Sequence, residues 1–141
     1  MNFSYVEFTG LVEERIFRPM IPVKFSVNGK SFHSYCLIDS GADYTILPIE
    51  AAKKLDLKLT HEESYFMQGA GGNEFKIYKS PLEIDCETEK RGFRSLCWKT
   101  KVYFSESGTF TLLGYKGFFE SINVNLKAQK REIDIAINKA G

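Results

Sequence analysis

Leu37-Ile38-Asp39-Ser40-Gly41-Ala42-Asp43-Tyr44-Thr45-Ile46-Leu47 is the stretch whose reading decides the fold. An acidic residue stands at the mouth of an apolar, strand-like run, and a small hydroxyl residue and a glycine follow it. The strand fixes the direction of the carboxylate. Gly41 lets the backbone turn tightly enough to bring amide N–H groups close to that carboxylate. Ser40 adds a hydroxyl able to bond across to a neighbouring loop. Asp-Ser-Gly alone is also an ordinary turn, so the weight rests on the extension through Thr45-Ile46-Leu47, where the apolar run resumes.

Outward from that loop the pattern is β. Ile21 to Val27 and Ser31 to Ile38 flank Asn28-Gly29, a pair that accepts positive φ at both turn positions and predicts a hairpin. Pro48 opens a short helix over 49–57. SYFMQ and EFKIYKSPLEID flank Gly69-Ala70-Gly71-Gly72-Asn73, which predicts a second hairpin with a mobile tip. Leu96 to Phe104 and Thr109 to Leu113 read as strands, and YKGFFESI after Gly114 reads as a short helix. Two runs, 122–126 and 132–137, close the chain, the second with Ile133, Ile135 and Ile137 on one face. Many short strands with one or two short helices predict a mostly-β barrel or sandwich.

The segment Asp39-Ser40-Gly41-Ala42-Asp43-Tyr44-Thr45-Ile46-Leu47 closely resembles the active-site loop of the retropepsin-like, single-domain aspartic proteases. Leu112-Leu113-Gly114 resembles that family's second element, and the 69–73 hairpin its flap. The resemblance covers about 21–122 and implies one domain over 1–141, folded as a mostly-β acid-protease barrel. It also implies roles: Asp39 as the catalytic carboxylate and Ser40 as a hydroxyl tie across the dimer axis. Gly41, Ala42 and Asp43 would contact substrate backbone. Gly69, Ala70, Gly71 and Gly72 would form the closing flap over it, and Leu113 and Gly114 would pack beneath the loop. Apolar neighbours such as Ile46 and Phe75 are candidate pocket residues. One departure stands out. Many relatives carry Arg after the second-element Gly, tied to the loop's second Asp; here that position is Tyr115. Lys116 or the Tyr115 phenol is the candidate replacement.

Aspartic proteolysis needs two carboxylates sharing one proton, because like charges about 3 Å apart do not both ionise. The chain has one Asp-Ser-Gly. A symmetric homodimer, with Asp39 from each copy, is therefore expected, locked by the 132–137 run or by the start of the chain. The partners implied are a second copy and a peptide or protein substrate. The competing expectation is a catalytically silent dimerisation or peptide-binding module on the same fold.

Composition sets the remaining bounds. A net charge of +1 offers no basic field for nucleic acid, and no apolar run approaches the ~20 residues of a membrane span. The acidic N-terminal stretch lacks a signal-peptide layout. With three cysteines, Cys36, Cys86 and Cys97, a reducing, cytoplasmic setting is expected. Cys36 and Cys97 sit in apolar runs and are expected to be buried and inert. His33 and His61 do not cluster as metal ligands, and the 69–72 glycines lack the Gly-Lys-Ser/Thr ending of a phosphate loop. No metal and no cofactor are expected.

Overall fold

The computed structural model describes residues 1–69, 71–108 and 110–138. It is mostly β, with one short α-helix. The strands in chain order begin with β1 (Asn2–Ser4), β2 (Val6–Thr9), β3 (Arg15–Arg18), β4 (Met20–Val27) and β5 (Lys30–Ile38). After the Asp39 loop come β6 (Ile46–Pro48) and helix α1 (Ile49–Lys54), followed by β7 (Ser64–Gln68) and β8 (Glu74–Lys79). The chain continues with β9 (Ile84–Thr88), β10 (Leu96–Thr100), β11 (Tyr103–Ser105), β12 (Thr111–Leu113), β13 (Ile122–Lys127) and β14 (Glu132–Ile137).

The β4–β5 hairpin forms as its turn chemistry requires. Asn28 and Gly29 take φ of 49° and 79°, both in the left-handed region that a two-residue turn of this hand demands. Alternation then sorts the side chains: Ile21, Val23, Phe25 and Val27 of β4 are buried, and Cys36 and Ile38 of β5 join them. Burying a side chain the size of Phe25 stabilises by about 1.5–3 kcal/mol. Leu47, Leu55, Phe104, Leu113 and Phe118 belong to the same cluster, and so do Ile122, Ile133 and Ile135. The terminal strands are thus packed into the same core as the Asp39 strand.

Nine strands form one sheet in the order β10-β9-β4-β5-β12-β6-β11-β8-β7. The central feature is β12, which lies between β5 and β6. It runs parallel to β5, with Leu112 opposite Leu37 and Leu113 opposite Ile38. On its other side Leu112 is opposite Ile46 in an antiparallel pairing. The chain leaving β5 must therefore step over the end of β12 to reach β6, and residues 39–45 make that step.

A second sheet has the order β1-β14-β13. β14 has both edges paired within the chain, to β1 through Asn2–Ser4 and to β13 along its whole length. On the β1 side the pairing covers Glu132 to Asp134, with Met1 reaching Ile135, so the outer edges of this sheet belong to β1, to β13 and to the last residues of β14.

Three expectations are corrected. The YKGFFESI segment is a chain of turns rather than a helix. Gly117 takes φ 97°, outside helical range, and its carbonyl accepts a bond from the indole N–H of Trp98 at 2.8 Å. The helix after Pro48 ends at Lys54, short of 57, because Asp56 turns left-handed at φ 54°. Cys97 is exposed, not buried. Its strand alternates, so burial of Trp98 turns Cys97 outward, and the second buried cysteine is Cys86. Burial pushes the Cys36 and Cys86 thiols far up, which keeps both protonated.

Candidate active site

Residues 39–45 are held from below by the end of β12. The Asp39 N–H donates to the Leu113 carbonyl at 3.0 Å, and the Ala42 N–H returns to the Asp39 carbonyl at 3.1 Å. The Gly41 N–H donates to Asp39 Oδ1 at 2.9 Å, so the turn itself orients the carboxylate. A Cβ at position 41 would lie 3.3 Å from that same oxygen. Asp39 is half-buried, while Ser40, Gly41 and Asp43 are exposed and Ala42 is half-buried.

Below the loop, Gly114 allows an approach that no other residue permits. A Cβ there would fall 2.3 Å from the Tyr44 carbonyl oxygen and 2.8 Å from that of Ala42. The Gly114 N–H donates to the buried hydroxyl of Thr45 at 3.1 Å. Three further bonds, each 2.9 Å, stitch the two segments: Tyr115 N–H to Ala42, Lys116 N–H to Asp43, and Thr45 N–H back to Lys116. The structure thus brings Asp39, Ser40, Gly41, Ala42 and Asp43 together with Leu113 and Gly114, although about seventy residues separate them in sequence.

Among the described contacts, neither candidate replacement for the missing Arg brings its side chain to the Asp43 carboxylate. Tyr115 is 58% exposed, and Lys116 contributes backbone bonds only. Among the described residues the Asp43 carboxylate has no ion pair.

The β7–β8 hairpin carries Gly69, Gly71 and Gly72 in its turn; Ala70 lies outside the described residues. The turn is closed by Gly69 N–H to Asn73 at 2.8 Å and Gly72 N–H to Gly69 at 2.9 Å. Gly72 takes φ 79°, with open space where a Cβ would stand. Phe75, just beyond the turn, meets Ile46 in a cavity of about 310 Å³ that Phe110 and Leu112 also line.

Sequence reasoning named Ile46 and Phe75 for such a pocket but missed Phe110 and Leu112. The signal for Leu112 was available: on a strand whose Leu113 enters the core, the preceding residue faces the other side. It also missed a tyrosine chain. The Tyr44 and Tyr103 ring centroids lie 4.8 Å apart and those of Tyr65 and Tyr103 6.4 Å apart, linking the Asp39 loop to the hairpin. Tyr65 donates to Glu63 at 3.0 Å, and that carboxylate raises the Tyr65 pKa.

No group of three or more His, Cys, Asp or Glu among the described residues is arranged to hold a metal ion. No helix among them is long and apolar enough to cross a membrane.

Residues 23–84 match the model of a family described as aspartyl protease. The match runs from β4 through the Asp39 loop and the β7–β8 hairpin, and ends before β12. Among solved structures, the chain is similar to the EIAV protease complexed with the inhibitor HBY-793. That likeness has 21% identity and a TM-score of 0.46, and covers 76% of this chain and 88% of that one. No curated protein matches the chain.

Proposed function

With residues 23–84 carrying the aspartyl protease family match, we propose that the chain is an aspartic endopeptidase whose active site is built from Asp39 of two copies. The observation that carries this reading is the oriented Asp39 carboxylate. It stands at a strand end, holds a backbone N–H from Gly41 at 2.9 Å, and is braced by a glycine-tight clamp from Leu113 and Gly114.

Two such carboxylates on a two-fold axis share one proton. The ionised one takes a proton from a water, which attacks the peptide carbonyl carbon. The protonated one gives its proton to the carbonyl oxygen as the tetrahedral intermediate forms. Ser40, exposed beside Asp39, bonds across the axis in this reading. Gly41, Ala42 and Asp43 offer the polar edge along which substrate backbone runs. The β7–β8 hairpin, with Gly69, Gly71 and Gly72 at its tip, closes over the peptide and excludes water. An apolar substrate side chain enters the cavity of Ile46, Phe75, Phe110 and Leu112.

The domain spans 1–141, with the family-like motifs within about 21–122. With β14 paired to β13 along its length and to β1 over Glu132 to Asp134, pairing of the two copies runs through the Asp39 loops and the free edges of the terminal sheet. A reducing, cytoplasmic setting suits the unpaired cysteines.

A second reading, a silent peptide-binding dimer, is favoured by one observation: among the described residues Asp43 has no cationic partner, where the resemblance leads one to expect Arg. The discriminating experiment incubates wild type and Asp39→Asn with a diverse peptide library from about pH 4 to pH 7. The protease reading expects cleavage by the wild type alone. Peptide binding without cleavage by a wild type that sediments as a dimer would establish the silent module instead.

A further inference from the structure

Trp98 reaches the turn beneath the Asp39 loop from a distant strand. It belongs to β10, the outermost strand of the nine-stranded sheet, and three strands lie between β10 and β12 in the sheet order. Its indole is nonetheless buried against the turn that follows β12. The ring meets that of Phe118 edge to face at 5.6 Å, and the indole N–H donates to the Gly117 carbonyl at 2.8 Å. The sheet therefore curls on itself, and this bond fastens the closure.

What the bond holds lies against the loop. A Cβ on Gly117 would fall 2.9 Å from the Thr45 hydroxyl oxygen and 3.0 Å from Thr45 Cβ, so the backbone of the turn rests on Thr45. Thr45 in turn accepts the Gly114 N–H on its hydroxyl at 3.1 Å and donates its own N–H to the Lys116 carbonyl at 2.9 Å. Residues 113–116 then make the bonds that set Asp39, Ala42 and Asp43. Trp98, Gly117, Thr45 and Gly114 are all buried inside one chain, so none of these contacts waits on a second copy. Without the indole N–H the buried Gly117 carbonyl is left to find another donor. A glycine, already at φ 97°, turns its peptide more readily than any other residue. Because Thr45 lies in contact, that movement passes to the loop.

We infer that Trp98 is a positioning residue for the Asp39 carboxylate, acting through Gly117 and Thr45. The inference rests on the protease reading for what the carboxylate does. It adds a reason for tryptophan at this place: phenylalanine would also fill the core, but only the indole brings an N–H to the carbonyl.

The test separates the N–H from the ring. Trp98→Phe and a benzothiophene analogue of Trp98, in which sulfur replaces the N–H, are compared with Cys86→Ala, a core truncation opposite Trp98 on β9. Peptide cleavage is measured well below the unfolding midpoint of each variant, and amide hydrogen exchange over 39–45 is followed by mass spectrometry. We expect kcat to fall about 10-fold in both Trp98 variants, with KM within about 2-fold of wild type. Exchange over 39–45 should quicken in the same two, while Cys86→Ala leaves rate and exchange as in the wild type. Combining Trp98→Phe with Thr45→Val should cost no more than the larger single loss, since both break one series of contacts. A kcat within about 2-fold of wild type in the benzothiophene variant, a loss equalled by Cys86→Ala, or additive losses in the double variant would overturn the assignment. No cleavage by the wild type refutes the protease reading instead. Exchange over 39–45 then decides for Trp98, supporting its role if quickened in both Trp98 variants and refuting it if unchanged.

Discussion

Gly114, beneath the Asp39 loop, and Gly72, at the turn of the β7–β8 hairpin, serve opposite needs. At Gly114 the absent side chain allows contact: the Tyr44 and Ala42 carbonyls occupy the space a Cβ would take, and five backbone hydrogen bonds or hydroxyl contacts tie the segment to the Asp39 loop. At Gly72 the space is open and the requirement is angular, a φ of 79° at a hairpin tip. The first region is built not to move. The second is held by its own turn and by Phe75 and the tyrosine chain, an arrangement suited to opening and closing. A proteolytic site needs both, because the carboxylates must be fixed within fractions of an ångström while the peptide must still enter.

The comparison is most easily broken at its rigid end. Gly114→Ala is expected to destabilise the fold by about 3–4 kcal/mol, since backbone rather than a flexible side chain occupies the space. Urea unfolding measures it, and a loss below about 1 kcal/mol would show that the loop can yield. Thr45→Val removes the acceptor for the buried Gly114 N–H and should cost about 1–3 kcal/mol. Gly72→Ala should cost about 1 kcal/mol, because an L-residue is forced into the left-handed region. Gly71→Ala sharpens the contrast. Its Cβ would meet only Asn73 Nδ2 at 3.9 Å, so stability should change by no more than about 0.5 kcal/mol. Its effect, if the hairpin is a moving flap, appears in the rate of peptide association measured by stopped flow.

These two regions also differ in how far the sequence disclosed them. The Asp39 loop, the β4–β5 turn and the glycine-tipped hairpin were legible because each is local: a few consecutive residues with φ requirements or alternation that neighbours cannot override. Gly114 was legible only through resemblance. Nothing periodic announces that β12 inserts between β5 and β6, since that pairing joins residues about seventy positions apart. The failed helix after Gly114 has the same origin, for the Trp98 bond that fixes Gly117 is a long-range contact. Cys97 was misread by treating an apolar run as uniformly buried where strand alternation sends Trp98 in and Cys97 out. The β2–β3 hairpin escaped notice because its apolar positions, Phe8, Ile16 and Phe17, are interspersed with charge. It packs by cation–ring contacts rather than by a continuous apolar face.

The central claim is that one active site takes Asp39 from each of two chains, and a mixing experiment addresses it directly. Wild type and Asp39→Asn are combined at constant total concentration, allowed to exchange subunits, and assayed for peptide cleavage. If the site needs both carboxylates, only wild-type pairs cut, and activity follows the square of the wild-type fraction: an equal mixture retains about a quarter of full activity. About three-quarters of full activity in the equal mixture would mean that one Asp39 per pair suffices, and about a half that each chain cuts alone; either would contradict the account.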